Sequence, residues 1–98
     1  MDSYTVDFPA QKWVGARHLI LRNGSVSGDP GFIYSGTYTQ VGHVVSARMH
    51  VRNAAGEFEM VVTGTLQGDS GTATGVIHST SVHDQLTGVI IRERKHQP

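Results

Sequence analysis

The amino-acid sequence predicts an all-β domain, a small antiparallel up-and-down barrel with about eight strands. Apolar and polar residues alternate in most segments, which is the period of a strand with one buried face. Glycine, threonine and valine are abundant, and turn-like peptides separate the alternating segments at the short spacing typical of such barrels. No segment shows the 3.6-residue period of a capped helix. The 98 residues predict one domain over residues 1–98.

Alternation and turn chemistry place the strand boundaries. The dipeptide Asn23-Gly24 is a strong hairpin signal, because a type I′ turn needs positive φ at both positions. Residues 10–15, around Trp13, form a loop or the start of the second strand, residues 79–85 form a loop, and residues 95–98 form a polar tail. The predicted strands cover residues 4–8, 17–22, 25–28, 32–40, 43–52, 57–66, 71–78 and 86–94.

The stretch from residue 43 to residue 78 also predicts its register. A four-residue loop at 53–56 pairs His50 with Glu59 and Met49 with Met60, and a turn at 67–70 pairs Met60 with Ile77. In this register apolar residues meet inside, while threonines, valines and charged residues meet outside. A slip by one residue would bury charged side chains, so the register is well specified.

Composition excludes several classes of function. Eight basic and eight acidic residues cancel, so the chain has no electrostatic footprint for nucleic acid or anionic lipid. It has no cysteine, which excludes disulfides and thiolate sites. Its first residues lack the basic and apolar regions expected of a signal peptide, and no apolar run is long enough for a membrane helix. These features predict a cytoplasmic protein that binds neither nucleic acid nor membrane.

One cluster has the side chains of a metal site. The predicted register puts His50, Glu59 and His78 side by side on the outer face of three adjacent strands, and zinc accepts nitrogen and oxygen ligands. However, strands are about 4.8 Å apart, so the outer two residues would be about 10 Å apart. The favoured interpretation is therefore a charged, solvent-facing ladder. The sequence predicts no cofactor and no catalytic constellation, and hence no enzyme.

The inward side chains are the other candidate site. An eight-stranded barrel is near the size at which side chains either fill the interior or leave room for one small ligand. Aromatic residues, methionines and small residues on the inner face predict either a filled core or a pocket for a small apolar ligand. The candidate lining residues are Tyr34, Tyr38, Met49, Phe58 and Met60.

The glycine-and-aromatic pattern resembles the GrlR-like family of small bacterial proteins. The resemblance is carried by residues 19–24, Gly28-Asp29 and residues 32–38, and continues in residues 62–66 and 86–94, so it covers most of the chain. It implies a lipocalin-like barrel, a homodimer, and action either through contact with a protein partner, which in the named member is a transcriptional activator, or by holding something apolar. That regulator carries an acidic loop after the strand matching residues 32–40. Here the connection at 40–43 has no carboxylate, so the repressor role is not carried over.

Two functions follow as expectations. The first is a homodimeric, non-enzymatic regulatory or protein-interaction protein resembling the GrlR-like negative regulators. The alternative is a binding protein for a small apolar ligand held in the barrel lumen.

Overall fold

The chain forms a closed antiparallel barrel of eight strands in sequence order, which confirms the predicted fold class. The computed structural model describes residues 2–9, 18–54, 56–79 and 83–93. No helix in this part of the chain is long and apolar enough to cross a membrane. The strands are β1 Ser3–Asp7, β2 His18–Arg22, β3 Ser25–Gly28, β4 Ile33–Val41, β5 Val44–Asn53, β6 Gly56–Gln67, β7 Ser70–His78 and β8 His83–Glu93.

The predicted register of the β2–β3 hairpin and of the β5–β6–β7 meander is confirmed. Leu21 pairs with Val26 across the Asn23-Gly24 turn, where both residues have positive φ, 54° and 79°. Met60 pairs with Met49 on one side and with Ile77 on the other. Each cross-strand pair of this kind adds about 0.2–1 kcal/mol. Local turn chemistry and alternation therefore determine most of the barrel wall.

Most of the predicted boundaries differ from the observed ones by one to three residues. The last strand begins at His83 and not at residue 86, because His83 already pairs with His78 of β7. The polar residues 83–85 do not alternate with apolar ones, so the sequence pattern does not indicate this pairing. The β4–β5 turn is Gly42-His43, since Val41 still pairs with Val44. The loop predicted at 53–56 is shorter, because Asn53 and Gly56 pair and the Gly56 amide donates to Asn53 Oδ1 at 3.1 Å.

Other predictions fall on residues outside the described ranges. The segment 10–15 with Trp13, the tail 95–98 and part of the loop at 79–85 belong to this group.

The core is the combined inner face of all eight strands. Its side chains belong to one hydrophobic cluster that includes Tyr4, Leu21, Met49, Met60 and Ile90. No polar or charged residue is fully buried among the described residues. Burial of about 25 cal/mol for each Å² of apolar surface is the main stabilising term for such a domain.

Glycines let strands approach closely where the barrel coils. A Cβ on Gly88 of β8 would lie 1.9 Å from the carbonyl oxygen of Asp7 in β1. A Cβ on Gly71 of β7 would lie 1.8 Å from the carbonyl oxygen of Thr65 in β6. Both contacts are with backbone, which cannot move aside cheaply. Gly88 is therefore part of the seam between the first and last strands that closes the barrel.

The seam between β3 and β4 is the weakest in the wall. Ser25 with Thr37 is the one residue pair formed across this seam, whereas every residue of β4 from Ile33 to Val41 has a partner on β5. Tyr34 covers this seam from inside the barrel beside Gly28. A Cβ on Gly28 would lie 2.9 Å from the Tyr34 hydroxyl oxygen.

Candidate functional site

The five predicted lumen residues all point inward, as alternation requires. Tyr38, Met49, Phe58 and Met60 are buried, and Tyr34 is half-buried against the same cluster. The two tyrosines lie at different heights, because Tyr34 pairs with Val51 and Tyr38 pairs with Ala47. The structure therefore does not gather the two hydroxyls into one polar handle.

Neighbouring side chains occupy the space that small inner residues leave. A Cβ on Gly64 would lie 2.7 Å from Ile90 Cδ1. A Cβ on Gly75 would lie 2.9 Å from Phe8 Cζ and 3.0 Å from Met60 Cε. Large side chains therefore occupy the space beside these inner glycines, where the sequence predicted room for a ligand.

One end of the barrel, which we call the lower end, is closed by two tyrosines. This end carries the turns at 23–24, 42–43 and 68–69. The Tyr4 and Tyr38 rings meet edge to face, with centroids 6.0 Å apart and planes at 84°. The Tyr4 hydroxyl donates to Gln40 Oε1, and the Tyr38 hydroxyl donates to the Asp2 carbonyl at 2.9 Å. Burial raises the pKa of Tyr4, and the Arg92 charge partly offsets this.

Arg92 completes the lower closure and is a residue that sequence reasoning missed. Its guanidinium lies over the Tyr4 ring, 5.9 Å from the centroid, and its side chain is 16 % exposed. Asp2 Oδ2 is 3.5 Å from the Arg92 Nε, and Asp69 Oδ1 is 3.9 Å from the Arg92 Nη1. The signal was present in β8, where Leu86, Gly88, Ile90 and Arg92 alternate inward. The two carboxylates balance the arginine charge, so the group closes the barrel and offers no open anion site.

The opposite, upper end carries a histidine held between aspartates. His18 Nδ1 lies 2.6 Å from Asp7 Oδ1, and the His18 amide donates to Asp29 Oδ2 at 3.1 Å. The Asp29 amide in turn donates to the His18 carbonyl at 3.2 Å. These contacts fasten the β2–β3 hairpin to β1. Nearby, burial together with the Asp29 charge raises the pKa of Tyr34 to about 12, and an interaction with the Asp29 backbone partly offsets the rise.

The register places His50, Glu59 and His78 as predicted, on adjacent strands. However, His50 is engaged by two glutamates of β6: its Nδ1 lies 2.9 Å from Glu59 Oε1 and its Nε2 lies 3.4 Å from Glu57 Oε2. Within the described residues, no three histidine, aspartate or glutamate side chains are placed to hold a metal ion. The geometry is that of an exposed charge ladder.

This ladder gives a pH-dependent prediction. Hydrogen bonds to Glu59 and then Glu57 raise the pKa of His50 above 6.5. Because the folded protein then binds the proton more tightly, the stabilisation by His50 is fully present below pH 6.5 and is lost as the pH rises through the folded-state pKa. We expect an NMR titration of His50 to show the raised pKa, and Glu57→Gln with Glu59→Gln to return it towards the ordinary value. A titration unchanged by both substitutions would contradict this assignment.

The outer surface of β6, β7 and β8 forms an uncharged patch, which we call the valine–threonine face. It consists of Val61, Thr63, Thr65, Thr72, Thr74, Val76, Thr87, Val89 and Ile91. Val61 and Val76 pair directly, as do Thr63 with Thr74 and Thr74 with Thr87. The large apolar members remain 38–46 % exposed. Charged side chains lie only around its margin, for example Arg48 and Glu59.

Comparison with known proteins finds no matching family profile, no matching curated protein and no matching solved structure. The resemblance to the GrlR-like family therefore stays a prediction.

Proposed function

We propose that this chain is a non-enzymatic regulatory protein that acts by binding another protein through the valine–threonine face. The observation that carries this proposal is the exposure of Val61, Val76, Val89 and Ile91 on one uncharged surface. Exposed apolar side chains grouped on an uncharged surface mark interaction sites on soluble proteins, and the centre of a protein interface is depleted in charge. Here a row of threonines, Thr63, Thr74 and Thr87, separates the Val61–Val76 pair from Val89 and Ile91.

The inside of the barrel supports an outward-acting function. Phe8, Met60 and Ile90 fill the space beside the inner glycines, and Tyr4 with Arg92 closes the lower end. Chemistry that distinguishes this protein from other small barrels therefore lies on its surface.

The partner is a protein with a complementary, uncharged surface. A transcriptional activator in the cytoplasm is the partner that the family resemblance implies. The tight Gly42-His43 turn carries no carboxylate, so recognition through an acidic loop after β4 does not extend to this chain. Recognition by the valine–threonine face is instead governed by burial of apolar area.

Two lysines on the face test this proposal. We expect Val76→Lys with Val89→Lys, the face variant, to weaken partner binding by about tenfold or more, because two charges must then be desolvated at the interface centre. The partner is captured from a lysate of the source organism, identified by mass spectrometry, purified and titrated calorimetrically.

The matched control places the same two charges on the opposite wall. Thr39→Lys with Val41→Lys, the edge variant, changes outward residues of β4 and is expected to keep the wild-type affinity for the partner. Absence of any saturable partner, or a partner that binds the face variant as tightly as wild type, overturns the proposal.

The alternative function, a carrier of a small apolar ligand, is not favoured by any contact among the described residues. A displaceable fatty-acid probe or a ligand retained in native mass spectrometry would favour it.

A further inference from the structure

We infer that Asn23 is a site of spontaneous deamidation, and that the isoaspartate formed there releases β3 from β4. Asn23 is exposed and precedes Gly24 in the two-residue turn between β2 and β3. A Cβ placed on Gly24 would meet no atom within 4 Å. The peptide nitrogen of Gly24 therefore has no side chain beside it, and the space that a side chain would take is open.

The reaction needs only the chain itself and water. The Gly24 nitrogen attacks Asn23 Cγ, a new N–C bond forms, and the Cγ–Nδ2 bond breaks as ammonia leaves with the proton of the Gly24 amide. Water then opens the resulting imide ring at one of its carbonyl groups. Opening at Cγ gives aspartate, whereas opening at the backbone carbonyl gives isoaspartate, in which the main chain runs through Cβ and Cγ. Asparagine is for this reason a thermolabile residue.

The turn conformation controls when the attack occurs. Asn23 and Gly24 have φ of 54° and 79°, the left-handed values of a type I′ turn. The chain must rotate about ψ of Asn23 before the Gly24 nitrogen reaches Cγ, so the attack follows a local opening of the turn. β3 has four residues and pairs with β4 only through Ser25 and Thr37. Segments with so few contacts open at low free energy.

Asn53, the other asparagine of the chain, lacks these features. Its Oδ1 accepts a hydrogen bond from the Gly56 amide at 3.1 Å, which holds the side chain in place. Its backbone also pairs with Gly56 at the end of β5. The next residue is Ala54, whose Cβ hinders attack by the peptide nitrogen. The two asparagines therefore provide a matched comparison within one molecule.

Isoaspartate lengthens the main chain of the turn by one methylene group. Because the two-residue turn determines the register of its hairpin, the longer turn first disturbs the pairing of Arg22 with Ser25. Ser25 is also the residue that pairs with Thr37 of β4. Loss of this pair leaves β3 without a residue pair on β4, so the seam opens on the side that Tyr34 covers.

The experiment keeps wild-type protein at mildly alkaline pH and follows each asparagine by peptide mass spectrometry. Cleavage after arginine places Asn23 and Asn53 in different peptides. We expect the Asn23 peptide to gain about 1 Da while the Asn53 peptide keeps its mass. Electron-transfer fragmentation distinguishes isoaspartate from aspartate. Urea below the unfolding transition is expected to speed the change at Asn23, because it populates the open turn. An unchanged Asn23 peptide, or equal rates at the two asparagines, overturns the inference.

The variant Asn23→Asp separates the effect of the new charge from that of the longer main chain. Asp-Gly also favours the type I′ turn, so this variant carries a carboxylate beside Arg22 on an ordinary backbone. We expect hydrogen exchange of the β3 amides to become faster in the aged, isoaspartate-containing protein and to stay at the wild-type rate in fresh Asn23→Asp. Equal exchange in aged and fresh wild type would show that isoaspartate does not release β3. Partner binding by the valine–threonine face is scored separately, so either proposal can fail alone.

Discussion

Replacing Gly88 with alanine is expected to destabilise the fold by about 3 kcal/mol, the upper range for overpacking a tight site. The new Cβ would lie 1.9 Å from the carbonyl oxygen of Asp7 and 2.9 Å from Phe8 Cδ1. The first contact is with backbone, so β1 and β8 must move apart at the seam that closes the barrel. Urea denaturation followed by circular dichroism measures the free energy of unfolding.

Thr87→Ala is the matched control for this prediction. Thr87 is the chain neighbour of Gly88, but its side chain is exposed on the outer face. Its loss is expected to cost less than about 1 kcal/mol, the range of strand propensity. Equal losses for the two variants would show that the glycine contact does not control closure.

Replacing Phe8 with alanine is expected to cost about 3–5 kcal/mol, because a buried aromatic ring is lost and a cavity is left. Phe8 is fully buried, and its ring reaches both Gly75 and Gly88. Since a small domain has only about 5–15 kcal/mol of stability, this variant is expected to lie near its unfolding midpoint in mild denaturant. Denaturant midpoints at a fixed temperature measure the change.

A double-mutant cycle separates ring packing at Gly75 from general loss of core area. Gly75→Ala adds a Cβ 2.9 Å from Phe8 Cζ and is expected to be destabilising alone. Phe8→Leu removes the ring that this Cβ meets, so the double variant is expected to be less destabilised than the sum of the two. Strict additivity would mean that Phe8 does not occupy the space beside Gly75.

The hairpins of the barrel wall were predictable because the sequence signals that define them lie close together in the chain. Asn23-Gly24 determines one hairpin through backbone conformation, and the pairing of Met49 with Met60 follows from loop length and alternation. Both signals lie within a few residues of the contacts they determine. A register shifted by one residue would expose the apolar side chains and bury the charged ones, so the observed register is strongly favoured.

Features that depend on distant parts of the chain were not predictable. The start of β8 at His83 depends on hydrogen bonding to β7, which no side-chain period reveals. The open seam beside β4 results from the short length of β3 relative to its neighbours. The lower closure by Arg92 requires knowing that β8 lies beside β1, so that Arg92 meets Tyr4.

For the candidate sites too, features set by local pairing were predictable and features that depend on distant strands were not. The register placed His50 beside Glu59, and strand spacing already argued against a shared metal ion. The outward pairing of valines on this stretch, as of Val61 with Val76, was also predicted. The extension of that patch to Val89 on β8 was not, because the sequence predicts a loop at residues 79–85 and indicates no register between β7 and β8.

The pairing of β1 with β8 has a consequence for biosynthesis. All other neighbours in the described sheet are consecutive in the chain, so their pairings are local and carry a small loop-closure cost. The final pairing joins the two extremes of the sequence and must wait until translation of β8 is complete. Until then β1 and the newest strand are both exposed edges. The nascent protein therefore depends on the speed of this last, long-range step to avoid aggregation.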